Sequence, residues 1–193
     1  MKKPKREERW LGRGKILKLK FMTNNYEFTY VNNTWDNCPK LLTPEKCSEI
    51  VNNPKTKELL QLYRETGNEE YKKKLPAFMV NGVVTQEALE EGVSRKDEHF
   101  LPSPLIGLDI DLKIKAEWMF EQAKTMVLQK LGNSFEAYFF MAYKTASGGL
   151  RIIARRTPGL TIEECRQEWE QIIELPCDPK CINLSRLYFL PTK

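Results

Sequence analysis

The chain has 193 residues, a net charge of +5, 41% hydrophobic and 30% charged residues. That balance suits one globular domain, in one lobe or two, with a core of its own, and no apolar run approaches the roughly 20 residues that span a bilayer. The start "MKKPKREERWLGRGK" lacks the apolar stretch of a secretory signal, and five cysteines without disulfide-like spacing fit a reducing cytoplasm.

Lys2, Lys3, Lys5, Arg6, Arg9, Arg13, Lys15, Lys18 and Lys20 crowd the first 20 residues, so residues 1–15 are expected to form a mobile basic arm and 16–193 the folded domain. Residues 17–30 alternate loosely in strand fashion, broken at Asn24–Asn25. In "LTPEKCSEIVNN", Thr43 is the expected N-cap, Pro44 the first helical residue and Asn52–Asn53 the end. "PKTKELLQLYRETGNEEYKKKLPAF" reads as a helix stopped at Gly67, a short second helix and a break at Pro76. "FMVNGVVT" reads as strand and turn, and "TQEALEEGV" as one short helix. "PLIGLDIDL" is a buried strand, and residues 114–131 a helix with Ala116, Met119, Phe120, Ala123, Met126 and Val127 on one face. "FEAYFFMAYKT" and "GGLRIIARRT" are an outgoing and a returning strand. "TIEECRQEWEQIIEL" opens on a capping box, and "NLSRLYFLP" is a last strand. Helices alternate with strands, so the expected class is α/β (α+β) with one mixed sheet.

Three sites carry chemistry. Asp109 and Asp111 stand at i and i+2 in a strand, which puts both carboxylates on one face. Like charges so placed are costly without a counter-charge, and a divalent cation supplies one; alternatively, Asp111 simply caps the next helix. Ser147, Gly148 and Gly149 between two strands make either an ordinary tight turn or a loop that lets backbone N–H groups approach a phosphate. Arg151 follows, with a fork suited to phosphate oxygens. Asp178 lies in a loop before a strand that carries Arg186; both also fit a plain turn and a surface ion pair. Cys177 and Cys181 lack a second pair, and His99 is the single histidine, so structural cysteines are expected rather than a zinc site.

The basic runs Lys72, Lys73, Lys74 and Arg151, Arg155, Arg156 favour polyanions, nucleic acid above all. A solvated surface is equally basic, and acidic helices (Glu87, Glu90, Glu91; Glu163, Glu164, Glu168, Glu170) argue against a uniformly cationic face.

Taken in order, "KKKLPAF", "IGLDID", "TASGGLRII" and "CDPKCINLSRLYFLP" resemble the archaeo-eukaryotic primase (primase-polymerase) superfamily, and within it the VirE-type N-terminal primase-like domain of mobile elements. The resemblance covers roughly residues 74–191. It implies a mixed sheet related to the RNA-recognition motif, packed on a second small α/β lobe with the active site between. It also implies a DNA primase or polymerase that uses Mg²⁺ or Mn²⁺, nucleoside triphosphates and a single-stranded DNA template. Asp109, Asp111 and Asp178 match the metal-binding and catalytic acids. Ser147, Gly149 and Arg151 match the nucleotide-phosphate motif, with Gly148 inside it, and Arg186 matches the arginine of the following strand. Lys72, Lys73 and Lys74 would track the template. Many members carry histidine where this chain has Arg151, which bears on the detailed chemistry more than on binding. The chain is expected to belong to a longer protein in which a helicase or other replication domain follows. The rival readings are a binding module with a degenerate site and a DxD metal-dependent nuclease or glycosyltransferase.

Overall fold

Residues that start and stop helices organise the first layer. In the computed structural model, which describes residues 27–92, 95–111, 115–132 and 135–189, Thr43 accepts the Lys46 N–H and opens α1 (Pro44–Asn52). Asn53 ends α1 and, by accepting from the Lys55 N–H, begins α2 (Pro54–Thr66). Gly67 closes α2 at φ 67°, a left-handed conformation that suits glycine. The short α3 (Glu69–Lys73) follows. Farther on come α4 (Gln86–Glu91), α5 (Ala116–Leu131), the helical turn α6 (Phe135–Tyr138) and α7 (Ile162–Ile173), whose Thr161–Glu164 capping box forms as its sequence predicts.

The strands are β1 (Thr29–Val31), β2 (Lys40–Leu41), β3 (Ala77–Met79), β4 (Gly82–Val84), β5 (Phe100–Pro102), β6 (Leu105–Ile110), β7 (Phe139–Lys144), β8 (Leu150–Arg155) and β9 (Leu187–Phe189). They build three sheets, ordered β2-β1-β3-β9, β4-β5 and β6-β8-β7. One mixed sheet was expected; every pairing among the described residues is antiparallel. The reason lies in the third sheet. Helix α5 joins β6 to β7, which run parallel to each other, but β8 returns between them and pairs antiparallel with both.

Two further stretches differ from their sequence pattern. Residues 135–138 coil into α6 rather than extend, in a segment whose Glu and Ala are weak strand formers. The last strand is three residues long because Asn183 accepts the Arg186 N–H in a turn just before it.

The β6-β8-β7 sheet is buried on both sides. Ile106, Leu108, Ile110, Leu150, Ile152 and Ala154 face α5 and α7, meeting Met119, Phe120, Ala123, Cys165 and Trp169. On the opposite face Leu105, Ile153, Phe140 and Tyr143 meet Phe28, just before β1, and Phe78 and Tyr188 of the first sheet, with Ile50 and Val51 of α1. Burial on both faces is why β6 reads as a nearly unbroken apolar run. Each fully buried Leu or Ile there contributes about 1.5–3 kcal/mol. Gly107 is required by close approach: a Cβ would lie 2.5 Å from the Tyr188 ring, whose hydroxyl donates to the Gly107 carbonyl at 2.9 Å.

Candidate active site

Strand register sets the centre of the site. Asp109 on β6 lies opposite Arg151 on β8, which lies opposite Tyr143 on β7, so the three side chains form a row on the face turned toward the first sheet. Arg151 donates from Nε to Asp109 Oδ1 at 2.5 Å and from Nη2 to Oδ2 at 2.6 Å, a two-pronged ion pair in which both side chains are under a tenth exposed. Nη1 reaches the Phe189 carbonyl at 3.3 Å and the Tyr143 hydroxyl at 3.4 Å. The guanidinium also stands 4.6 Å from the centre of the Tyr188 ring. Burial opposes charge on Arg151, but Tyr143 and Asp109 more than offset it and its pKa is raised. Burial also pushes Tyr143 up to about 12, so at neutral pH the phenol is uncharged and Asp109 is the counter-ion.

The loop before β9 closes over this row. The Asp178 N–H donates to the Asp109 carbonyl at 2.8 Å, pinning the loop to the end of β6. The Asp178 carboxylate accepts from the Lys180 N–H at 2.9 Å and pairs with Arg186 at 3.3 Å, so the turn and the ion pair are both present. Arg186 keeps its Nε buried and without a hydrogen-bond partner among the described residues. Cys181 places its Sγ 3.7 Å from Asp109 Oδ2 and 3.8 Å from Asp178 Oδ2. Its thiol is pushed up to about 12, chiefly by burial and by the Asp109 charge. All five cysteines are free.

Asp111 lies one residue past the end of β6 and does not cap α5, whose N-cap is Lys115. It is exposed at the rim. Burial of its carboxyl side, followed by the charges of Asp109 and Asp178 and only partly countered by Arg151 and Lys72, raises its pKa above the usual 3.8. Gly149 is packed against it: a Cβ there would come within 2.5 Å of Asp111 Oδ1 and 2.7 Å of the Ile110 carbonyl. The turn of residues 145–149 closes on itself through Thr145 N–H to Gly149 O and Gly148 N–H to Thr145 O, with Gly148 at φ 96°. The Gly148 N–H is thus already engaged, while Ser147 is exposed and stands 3.3 Å from the Thr145 hydroxyl.

These groups line one cleft, bounded by Lys72, Asp109, Asp111, Ser147, Arg151, Asp178 and Arg186 with Thr145, Leu187 and Phe189. Lys72 also pairs with Glu69 at 3.3 Å and lies over the Tyr63 and Phe189 rings. Its neighbours go elsewhere: Lys73 pairs with Glu70 at 2.7 Å, and Lys74 lines a separate hollow beside α1 and α2. Gly148 and Gly149 shape the turn without lining the cleft. The basic arm lies outside the described residues. Among those described, no three acidic, cysteine or histidine side chains stand as a ready metal-ligand cluster, for Asp109 is turned to Arg151.

Sequence reasoning missed the groups that hold the row in place. Asn81 accepts the Gly107 N–H at 2.9 Å and donates to the carbonyls of Cys181 and Asn183 at 3.1 Å each, tying the first sheet, β6 and the Asp178 loop together. In "VNGVV" it reads only as a turn residue. Tyr143 and Tyr188 read as ordinary strand aromatics, and no spacing marks them as neighbours of Arg151.

The chain matches no protein-family model, no curated protein and no solved structure. Among the described residues, no helix is long and apolar enough to cross a membrane.

Proposed function

We propose that the chain is a primase-polymerase catalytic domain that transfers nucleotides on a single-stranded DNA template with Mg²⁺ or Mn²⁺. The observation that carries this reading is the convergence of residues 72, 109, 111, 147, 151, 178 and 186 in one cleft. Support also comes from the order β6-α5-β7-β8-α7, with β8 between the two strands that α5 joins, an arrangement that ferredoxin-like and RNA-recognition folds also have. Here β9 pairs with β3 of the facing sheet instead of joining the same one.

The residues fit a divalent cation. Asp109, Asp111 and Asp178 all line the cleft, and the Asp111 carboxyl is raised first by burial and then by the Asp109 charge. Asp109, Asp111 and Asp178 would be the ligands, and when bound such a cation neutralises charge on the attacking and leaving oxygens. Within the chain's own machinery, Arg186 and Lys72 add positive charge at the cleft, and Ser147 offers a hydroxyl. Arg151, now neutralised by Asp109, would swing its fork to the triphosphate as Asp109 turns to the cation.

The test is incorporation of nucleotides on primed and unprimed single-stranded DNA with Mn²⁺ or Mg²⁺. Asp111→Asn should lose incorporation while staying folded, because Asp111 is exposed and outside the strand. Equal synthesis by the variant, or none by the parent protein, would overturn the catalytic reading. A second reading, a nucleotide- or nucleic-acid-binding module without catalysis, is favoured by the closed Asp109–Arg151 pair. It requires nucleotide affinity that does not depend on the divalent ion.

A further inference from the structure

A second hollow is walled by α1, α2 and the segment that follows α3. We infer that this hollow binds a backbone phosphate of a nucleic-acid strand. The choice of a strand over a free nucleotide rests on the polymerase reading; the anion site itself does not.

Three features make the hollow a phosphate site. The first is charge. Lys46, Lys55 and Lys74 line it, Glu49 is the one carboxylate among its lining residues, and Lys46 holds that carboxylate at 2.8 Å. Lys55 and Lys74 have no carboxylate partner among the described residues, leaving two uncompensated ammonium groups. The second is the start of α2, a helix of 13 residues whose N-terminal N–H groups point outward with the positive end of its dipole. The Asn53 carboxamide takes the Lys55 N–H at 2.9 Å and leaves the next, that of Thr56, without an intrahelical acceptor. The third is Thr56 itself. It is 7% exposed and lines the hollow, and among the described residues nothing hydrogen-bonds its hydroxyl. The hydroxyl oxygen is not sealed from solvent, and the hollow is the space that Thr56 lines. A phosphate oxygen would satisfy the hydroxyl and the N–H together.

Position links the hollow to the cleft. Lys72 lines the cleft and Lys74 the hollow, and two residues span at most about 7 Å of backbone. A strand seated in the cleft would therefore present a phosphate to the hollow as it leaves.

The experiment is anisotropy of a labelled single-stranded oligonucleotide across a salt series, without divalent ions. Lys55→Ala with Lys74→Ala should weaken binding roughly 10-fold or more and lower the salt slope by about 2, one for each lysine that no longer neutralises a phosphate. Thr56→Val, which keeps the shape of the side chain, should weaken binding about 10-fold with an unchanged slope, since it removes no charge. Lys124→Ala, on α5 across the sandwich, should match the parent protein. An unchanged slope in the double variant, or an equal loss in Lys124→Ala, would overturn the site. Calorimetry with a free nucleoside triphosphate should give parental affinity in all of these variants; a loss there would assign the hollow to free nucleotide and overturn the strand. The assay contains no divalent ion and reads binding alone, so absent catalysis would leave this result standing.

Discussion

Removing one member of the Asp109–Arg151 pair should harm the fold far more than replacing both. The carboxylate and guanidinium are 8% and 6% exposed and joined by two short hydrogen bonds. Asp109→Asn keeps the shape and one acceptor oxygen but leaves a buried cation without a counter-charge, whose other acceptors, the Phe189 carbonyl and the Tyr143 hydroxyl, lie at 3.3 and 3.4 Å. Breaking a buried pair in this way costs about 3–5 kcal/mol. At about 2–4 °C per kcal/mol for a domain of this size, Tm should fall by roughly 6–20 °C. Asp109→Leu combined with Arg151→Met fills the same space with apolar groups and should lie within about 2 kcal/mol of the parent. Thermal and urea unfolding of the parent, both single variants and the double variant complete the cycle. An Asp109→Asn protein that melts within a degree of the parent, or a double variant as unstable as the sum of the singles, would refute the pairing. The same reasoning disqualifies Asp109→Asn as a probe of catalysis, because lost activity would follow from a damaged fold.

Asp111 should behave in the opposite way. Its carboxyl is raised by burial and by Asp109 and Asp178, so the folded protein holds this proton to higher pH than the unfolded chain does. The ionised carboxylate therefore costs stability, fully at neutral pH and less as pH falls through the carboxylate range. Asp111→Asn should raise Tm at pH 7, with the gain vanishing near pH 4, and Mn²⁺ should raise the Tm of the parent more than that of the variant; a gain that persists at low pH would contradict this. Gly149→Ala, whose Cβ would meet Asp111 and the Ile110 carbonyl, should cost about 1–3 kcal/mol, and parental stability would mean that the turn does not pack on Asp111. A thiol reagent should find one fast cysteine, the exposed Cys38, and four slow ones, since Cys47, Cys165, Cys177 and Cys181 are buried with raised pKa values; two or more fast thiols would show that the buried set opens.

Local signals were legible wherever one residue type forces one conformation. Thr43–Pro44, Asn53–Pro54, Gly67 and the Thr161–Glu164 box all lie at helix ends, because capping chemistry is decided within four residues. Sheet topology was not legible. Whether β7 pairs with β6 or lets β8 between them depends on β6–β8 contacts 40 to 50 residues apart, and both arrangements present the same apolar pattern. The D-x-D pair shows the same limit. Its spacing implied two carboxylates on one strand face, but the strand ends at Ile110. Asp109 is therefore inside the sandwich while Asp111 is at its rim. Arg151 was legible as a cation beside the site and illegible as the partner of Asp109, because cross-strand register cannot be read from either strand alone.

Charge in the cleft gives the pieces a common logic. Asp109, Asp111 and Asp178 face Arg151, Arg186 and Lys72, three carboxylates against three cations, so the folded cleft has almost no net charge with which to attract a polyanion. A triphosphate arriving alone gains Arg151 only by stripping Asp109 of its counter-ion, which leaves a buried carboxylate uncompensated. On the proposed function a divalent ion would remove that obstacle, since Asp109 would be one of its ligands and the guanidinium fork would be left free for the triphosphate. On the proposed function, nucleotide affinity and cation affinity must therefore be coupled, and by linkage each must strengthen the other by the same factor. The coupling should be lost in Asp111→Asn, which weakens the cation site without touching Arg151. A binding module without catalysis has no need of the exchange and would show the two ligands binding independently.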